Sequence, residues 1–341
     1  MSDERYHRQS LVPSIGEAGQ QRLGGASVLV VGCGALGTVS ADLLARAGIG
    51  HIRIVDRDIV DVTNLQRQVL FDESDLASPK ATAARNRLRS INSTIDIEAF
   101  VEDVDASNIE RLADGCTAIV DGLDNFETRY LLNDLAVSTD RPWFYGGAVG
   151  TTGMSAAIMP GESPCLRCVF PEPPAPGLSP TCDTAGVLGP VVHMVAAHQA
   201  MQAIKFLSGH AEAVDRRVHS FDAWSNTRHA MDLTVPRDDC PCCGFRRFEW
   251  LQRQRRSTTT VLCGRDAVQV KPDPGCDTLP LNALAGRLAK HGTFRESSEV
   301  LHGRLEEAGV DLTVFPDGRA LIKGSTTPEH ARTIYARYIG T

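Results

Sequence analysis

A chain of 341 residues is too long for one small core and suits a large domain with an appendage. With 42% apolar and 23% charged residues its composition is that of a soluble globular protein. The net charge of −7 argues against a nucleic-acid binder and leaves room for small anionic ligands held by local cations.

The N-terminus, MSDERYHRQS, is charged and lacks the apolar segment of a signal peptide, and no run is long enough to span a bilayer. The expected compartment is therefore the cytoplasm, where ten cysteines point to metal ligands or reactive thiols rather than disulfides. The spacing then predicts a helix over 14–25 with Ser14 as its cap, a buried strand over 26–32, and a helix over 36–48 ending at Gly48. Strand 51–56 follows, then a helix from Pro79 capped by Ser78, strand 95–101, helix 106–113, strand 117–121, helix 125–138 and strand 142–146. A further strand covers 149–159. The Pro-rich stretch PEPPAPGLSP reads as a long crossover loop, 187–207 as a helix, and 215–235 as two antiparallel strands. The expected fold is α/β: a doubly wound, mostly parallel Rossmann-like sheet with an antiparallel extension. It occupies 1–244, with CPCCG closing it. A polar, basic linker over 245–260 leads to a small α+β domain over 261–341, with helices near 281–291, 297–308 and 328–338. The hairpin LTVFPDGRALIKG lies between the last two, turning at Pro316-Asp317-Gly318.

The stretch VLVVGCGALG runs a strand into Gly32-x-Gly34-Ala35-x-Gly37. In such a turn the first glycine permits the bend, the second lets the backbone approach a phosphate, and the third lets helix and strand pack closely. The helix N-terminus favours an anion, and Asp56, closing the next strand, stands where a ribose-binding acid belongs. These features fit NAD(P) and ATP equally. Beyond them come Asp58, Asn64, Arg67, Gln68, Lys80, Asp124 and Asn125. An arginine, a lysine and a carboxylate converging on a nucleotide suit phosphoryl or adenylyl transfer, where cations meet charge building on phosphate and a carboxylate holds Mg²⁺. Taken singly, lone cations are usually solvated, and Asp124 suits the N-cap of helix 125–138 equally well.

RYHRQ, the glycine turn, Asp56-x-Asp58, NLQRQ, SPK, DGLDN, CLRC, TCDTAGVLGP and CPCC stand in an order that resembles the ThiF/MoeB/HesA-type adenylyltransferases, bacterial relatives of ubiquitin-activating enzymes. The resemblance covers residues 4–244 and is nearest to the ThiF-like members of thiazole biosynthesis. It implies a homodimer that activates a ubiquitin-like sulfur-carrier protein of the ThiS or MoaD kind, ending in Gly-Gly. The carrier's terminal carboxylate would attack the α-phosphate of Mg-ATP, giving an acyl-adenylate and pyrophosphate for thiamine-thiazole or molybdopterin biosynthesis, with any sulfur donor a separate protein. By the same resemblance Asp56 would hold the ribose, Arg67 and Lys80 the phosphates, Asp124 the Mg²⁺, and Arg8 would reach the partner protomer's phosphates. Asn64 and Gln68 would support the site, and Cys182 would take up the activated carrier or join sulfur transfer. The rival classes are an NAD(P)-dependent oxidoreductase and a non-catalytic carrier-binding scaffold. A tRNA-modifying relative is disfavoured by the acidic balance, although 246–256 is locally basic.

Cys165-x-x-Cys168 and Cys240-x-x-Cys243 carry the spacing of a tetrahedral, closed Zn²⁺ site pinning two distant loops. The alternative is two coincidental pairs of buried cysteines. Cys33, Cys116, Cys263 and Cys276 read as buried or idle thiols.

Overall fold

The computed structural model describes residues 2–173, 185–232, 235–252, 261–262, 267–270, 279–325 and 327–339. The chain divides into two compact units, Met1–Arg256 and Ser257–Thr341. The first begins with helices α1 (Ser2–Ser10) and α2 (Gly16–Gly25) and then alternates: β1 (Ser27–Val31), α3 (Ala35–Ala47), β2 (His51–Val55), α4 (Lys80–Ile91), β3 (Asp96–Phe100), α5 (Ile109–Ala113), β4 (Ala118–Asp121), α6 (Phe126–Ser138) and β5 (Trp143–Val149). After β6 (Thr152–Ile158) come the short α7 (Leu166–Val169), the long α8 (Gly189–Leu207), β7 (Val218–Asp222) and β8 (Thr227–Met231).

The eight-stranded sheet runs β3-β2-β1-β4-β5-β6-β7-β8. Pairing is parallel from β3 to β5 and antiparallel from β5 to β8, as the expected extension requires. The apolar run of β1 is explained by burial on both faces: Val28 and Val30 join one core cluster, Leu29 and Val31 the other. Strand order reverses between β1 and β4, which places the ligand crevice of such a sheet beyond the C-terminal end of β1.

Three local expectations fail in this unit. Ser78 does not cap α4, which begins at Lys80 with Pro79 as its N-cap and no side-chain cap bond. Ser14 does not cap α2, whose N-cap is Ile15 with no side-chain bond. The stretch expected as a linker from 245 begins inside the unit: Phe248, Trp250 and Leu251 pack on the second core, and Trp250 lies 5.4 Å from Tyr130, ring to ring. The proline-rich stretch lies largely outside the described residues.

On the antiparallel side, the ring of His198 on α8 lies 4.6 Å from that of His219, and its Nδ1 is 3.1 Å from Ser155 Oγ. Burial, then His219 and Lys205, push His198 down to about 4, while Asp215 opposes the shift. The unfolded chain therefore binds this proton more readily, and stability drops as pH falls from 6.5 towards 4, by roughly 1–3 kcal/mol. Urea melts at pH 7 and pH 4.5 are expected to show that loss shrinking in His198→Gln. An unchanged loss excludes His198 as its source.

The second unit is an antiparallel sheet of order β11-β12-β13-β14-β10-β9. Its strands are β9 (Val261–Leu262), β10 (Ala267–Val270), β11 (Gly292–Glu296), β12 (Leu301–Leu305), β13 (Val310–Val314) and β14 (Ala320–Lys323), with helices α9 (Leu281–Leu288) and α10 (Pro328–Tyr338). The hairpin and the last helix fall where expected. The helix expected near 297–308 is instead strand β12 with its flanking turns, held between β11 and β13.

Candidate nucleotide site and cysteine centre

Three glycine backbones meet at the end of β1. Gly32 has φ +86°, and a Cβ there would lie 2.7 Å from Gly122 O. A Cβ on Gly37 would lie 1.9 Å from Gly32 O, and one on Gly122 would lie 2.1 Å from the same oxygen. The turn and the loop after β4 are thus one close-packed object. Gly34 differs: a Cβ there would meet nothing nearer than 3.8 Å, ordinary contact, so the turn has room for a group above it.

Asp56 fastens the turn to β2. Its Oδ2 accepts the Cys33 N–H at 2.6 Å and its Oδ1 the Asp58 N–H at 2.7 Å. Burial pushes this carboxyl above the usual range, against the pull of Lys80. Two amides use only part of a carboxylate's acceptor capacity, leaving lone pairs for hydroxyl donors. Lys80, the first residue of α4, is 1% exposed, and its Nζ lies 3.4 Å from Asp58 Oδ2. Asn64 is buried and closes a capping box with Asp61 on the turn Val62–Asn64. Gln68 is buried with Nε2 3.9 Å from the open position over Gly34, and its Oε1 has no hydrogen-bond partner. Arg67 folds back to donate from Nη1 to Thr63 O at 2.8 Å.

The loop carrying Asp124 is held from beneath. Buried Arg129 pairs with buried Asp121 at 3.0 Å; Asp121 Oδ1 accepts the Leu123 N–H, and Arg129 Nη2 donates to Leu123 O and Gly146 O. Both polar groups of the residue preceding Asp124 are thereby fixed. The N-cap of α6 is Asn125, whose Oδ1 accepts the Thr128 N–H at 2.9 Å, which leaves Asp124 exposed before it. Gly122, Arg129 and Arg57, which lies between the two acids of β2's end, go unmarked by sequence reasoning. An arginine set directly before the apolar run YLLNDLAV was the available signal for Arg129.

Arg8 sits elsewhere. Helix α1 docks at the far end of α3: Gln9 donates to Ala47 O, and Asn92 joins the Tyr6 hydroxyl to Ala45 O. Thirteen residues of α3 separate this end from the glycine turn, about 20 Å. Cys182 lies outside the described residues.

The four expected cysteines converge. Their sulfurs lie within 4.8 Å of one another, with Cys165–Cys168 at 3.9 Å, Cys165–Cys240 at 3.6 Å and Cys168–Cys243 at 3.3 Å. Tetrahedral Zn–S bonds of about 2.3 Å put sulfurs roughly 3.8 Å apart, so the donor set fits that ion. Helix α6 braces both loops. Asn133 Oδ1 accepts the Leu166 N–H, its Nδ2 contacts Cys242 Sγ at 3.2 Å, and Asp134 Oδ2 accepts the Trp250 N–H at 2.8 Å. Burial pushes Asp134 up to about 6.

A doubly wound sheet whose glycine turn, buried lysine and fixed acidic loop meet at the strand-order reversal defines a nucleotide-binding domain of the Rossmann-like class. The comparisons narrow it. Residues 6–242 match the ThiF family. The chain is 42% identical over 339 residues to the sulfur carrier protein ThiS adenylyltransferase of Bacillus subtilis, covering 98% of this chain and 99% of that one. It is 39% identical over 247 residues to the sulfur carrier protein adenylyltransferase of Thermus thermophilus, covering 71% and 90%. Its fold resembles the crystal structure of E. coli MccB with succinimide, at a TM-score of 0.62 and 24% identity over 70% and 74% of the two chains. The chain belongs to the ThiF family.

Among the described residues no helix is long and apolar enough to cross a membrane.

Proposed function

We propose that the protein is an ATP-dependent adenylyltransferase that activates the C-terminal glycine of a ubiquitin-like sulfur-carrier protein of the ThiS or MoaD kind. The carrier carboxylate attacks the α-phosphorus. A carboxylate–phosphorus bond forms, the α–β phosphoanhydride bond breaks, and pyrophosphate leaves with the electron pair. One anion attacks another here, so charge neutralisation matters more than a base. The observation that carries this reading is a buried lysine beside an open glycine turn. Lys80 has no solvent to face, with Asp58 at 3.4 Å to hold it and the charge of Asp56 also near, a poised cation where phosphate oxygens come to rest.

In this reading the N–H groups at the start of α3 receive phosphate, Asp56 accepts from the ribose hydroxyls, and Asn64 and Gln68 shape the floor. Arg67 swings from Thr63 O to the phosphates. Asp124 holds Mg²⁺, which supplies charge neutralisation on the triphosphate when bound. Arg8 is too far from its own turn to serve it, which supports a homodimer in which it serves the partner's. Cys182 as an acceptor of the activated carrier stays part of the proposal. The cysteine centre holds Zn²⁺ as a structural staple. Metal analysis is expected to find about one zinc per chain, absent from Cys165→Ser and Cys243→Ser; retention in both variants ends the tetracysteine assignment.

The deciding experiment is ATP–pyrophosphate exchange with and without a carrier ending in Gly-Gly. Carrier-dependent exchange supports the reading, and running ThiS-like and MoaD-like carriers side by side separates thiazole from molybdopterin supply. Nicotinamide binding without exchange returns the weight to an oxidoreductase. Carrier binding without exchange returns it to a scaffold.

A further inference from the structure

The geometry points to Arg57 as a positioning residue for Lys80, acting through Asp58, with Asp103 as its anchor. This rests on the reading that Lys80 meets nucleotide phosphate, and it adds two residues to which no role has been assigned.

Asp58 is shared. Its Oδ2 lies 3.4 Å from Lys80 Nζ and its Oδ1 3.9 Å from Arg57 Nε. The Arg57 side chain is 18% exposed, and its Nη1 donates to Asp103 Oδ1 at 3.0 Å, with Asp103 12% exposed. The order Lys80, Asp58, Arg57, Asp103 therefore alternates in charge from the start of α4, across the end of β2, to the segment after β3. Lys80 is tied to the same residue by its backbone, since its N–H donates to Asp58 O at 2.9 Å.

A lone carboxylate opposite a buried ammonium would hold it tightly, since few waters compete there. Dividing the field of Asp58 between two cations weakens that hold. The carboxylate stays ionised and fixed, while the ammonium remains free to turn towards an incoming phosphate. Arg57 is suited to the part because a planar fork engages two carboxylates at once and never loses its charge. Burial works against that charge, but Asp103, Asp58 and Asp124 more than offset it and hold Arg57 above its ordinary range.

The test compares ATP with adenosine, which lacks phosphate. Titration calorimetry of the zinc-loaded full chain is expected to show ATP binding weakened on the order of 10-fold in Arg57→Met, since misplaced groups cost about that much or more. Adenosine binding stays at the wild-type value, and Arg57→Lys recovers part of the loss. In a Lys80→Ala background, Arg57→Met adds little, as expected of two residues acting through one contact. Equal weakening of adenosine and ATP overturns the inference, because Arg57 then acts on base or ribose directly. Full additivity with Lys80→Ala overturns it too. Should Arg57→Met fail to fold, Asp103→Asn carries the same comparison with a smaller expected loss. Wild-type protein that binds no ATP removes the parent reading as well as this one, whereas a wild type that binds ATP with an Arg57→Met of unchanged affinity removes only this one.

Discussion

Lys80→Ala is expected to slow carrier-dependent ATP–pyrophosphate exchange by roughly 10²–10³-fold, the usual cost of removing one preorganised charge from a transition state. The fold should tolerate the change. Lys80 is buried, but its partner Asp58 keeps Arg57 at 3.9 Å, and the group that loses most is Asp56, whose charge Lys80 favours against burial. The truncated stem leaves a small cavity in α4's first turn, and a melting temperature a few degrees lower is the expected penalty. Arg67→Ala should cost exchange comparably with still less effect on stability, because its side chain is partly exposed and bonds Thr63 O in the resting state. Circular dichroism and melting, read beside exchange, separate the two effects. Wild-type exchange in either variant removes that residue from the chemistry.

Gly122→Ala and Gly34→Ala are expected to fail in opposite ways. A methyl at 122 would stand 2.1 Å from Gly32 O and 2.8 Å from Gly37 Cα, both backbone atoms that no rotamer change can move. Overpacking that only backbone shifts relieve costs 1–3 kcal/mol or more, here on the order of 3 kcal/mol, a fall of about 10 °C in melting temperature or insoluble protein. A methyl at 34 meets nothing nearer than 3.8 Å, so its melting temperature should stay within a degree or two. It fills the space over the turn, and ATP binding should weaken by at least 10-fold, as expected where a backbone must approach phosphate closely. A Gly34→Ala variant that binds ATP like wild type moves the phosphates off the turn. A Gly122→Ala variant of wild-type stability denies that the three glycines are in close contact.

Much of this was legible in the sequence because it is local or periodic. The apolar run of β1 and the alternation of strands and helices pointed to a doubly wound, mostly parallel sheet, and the x-x spacing of the cysteines pointed to the sulfur cluster. What escaped is non-local. The need for glycine at 122 exists only because β4 lies beside β1, bringing residues 32 and 122 together. Around residues 297–308 the sequence LHGRLEEAG favours a helix by composition, yet pairing on both sides prevails. Leu301 and Leu305 turn inward, and Gly303 admits the close approach of the Thr293 carbonyl. The basic character of 245–256 hides three apolar anchors, Phe248, Trp250 and Leu251. The candidate site divides the same way. Its charged residues stand in recognisable strings, while Arg129, which fixes the Asp124 loop, is legible only once Asp121 is seen opposite it.

Helix α6 has a consequence for assembly. Its cap, Asn125, adjoins Asp124, and two turns on, Asn133 and Asp134 grip both loops of the sulfur cluster. Eight residues of helix set those two points about 12 Å apart. The acid is seated by Arg129 and Asp121 beneath it and by the helix that follows, and that helix is itself seated on the loops it grips. One helix thus joins the closing of the cysteine centre to the position of Asp124.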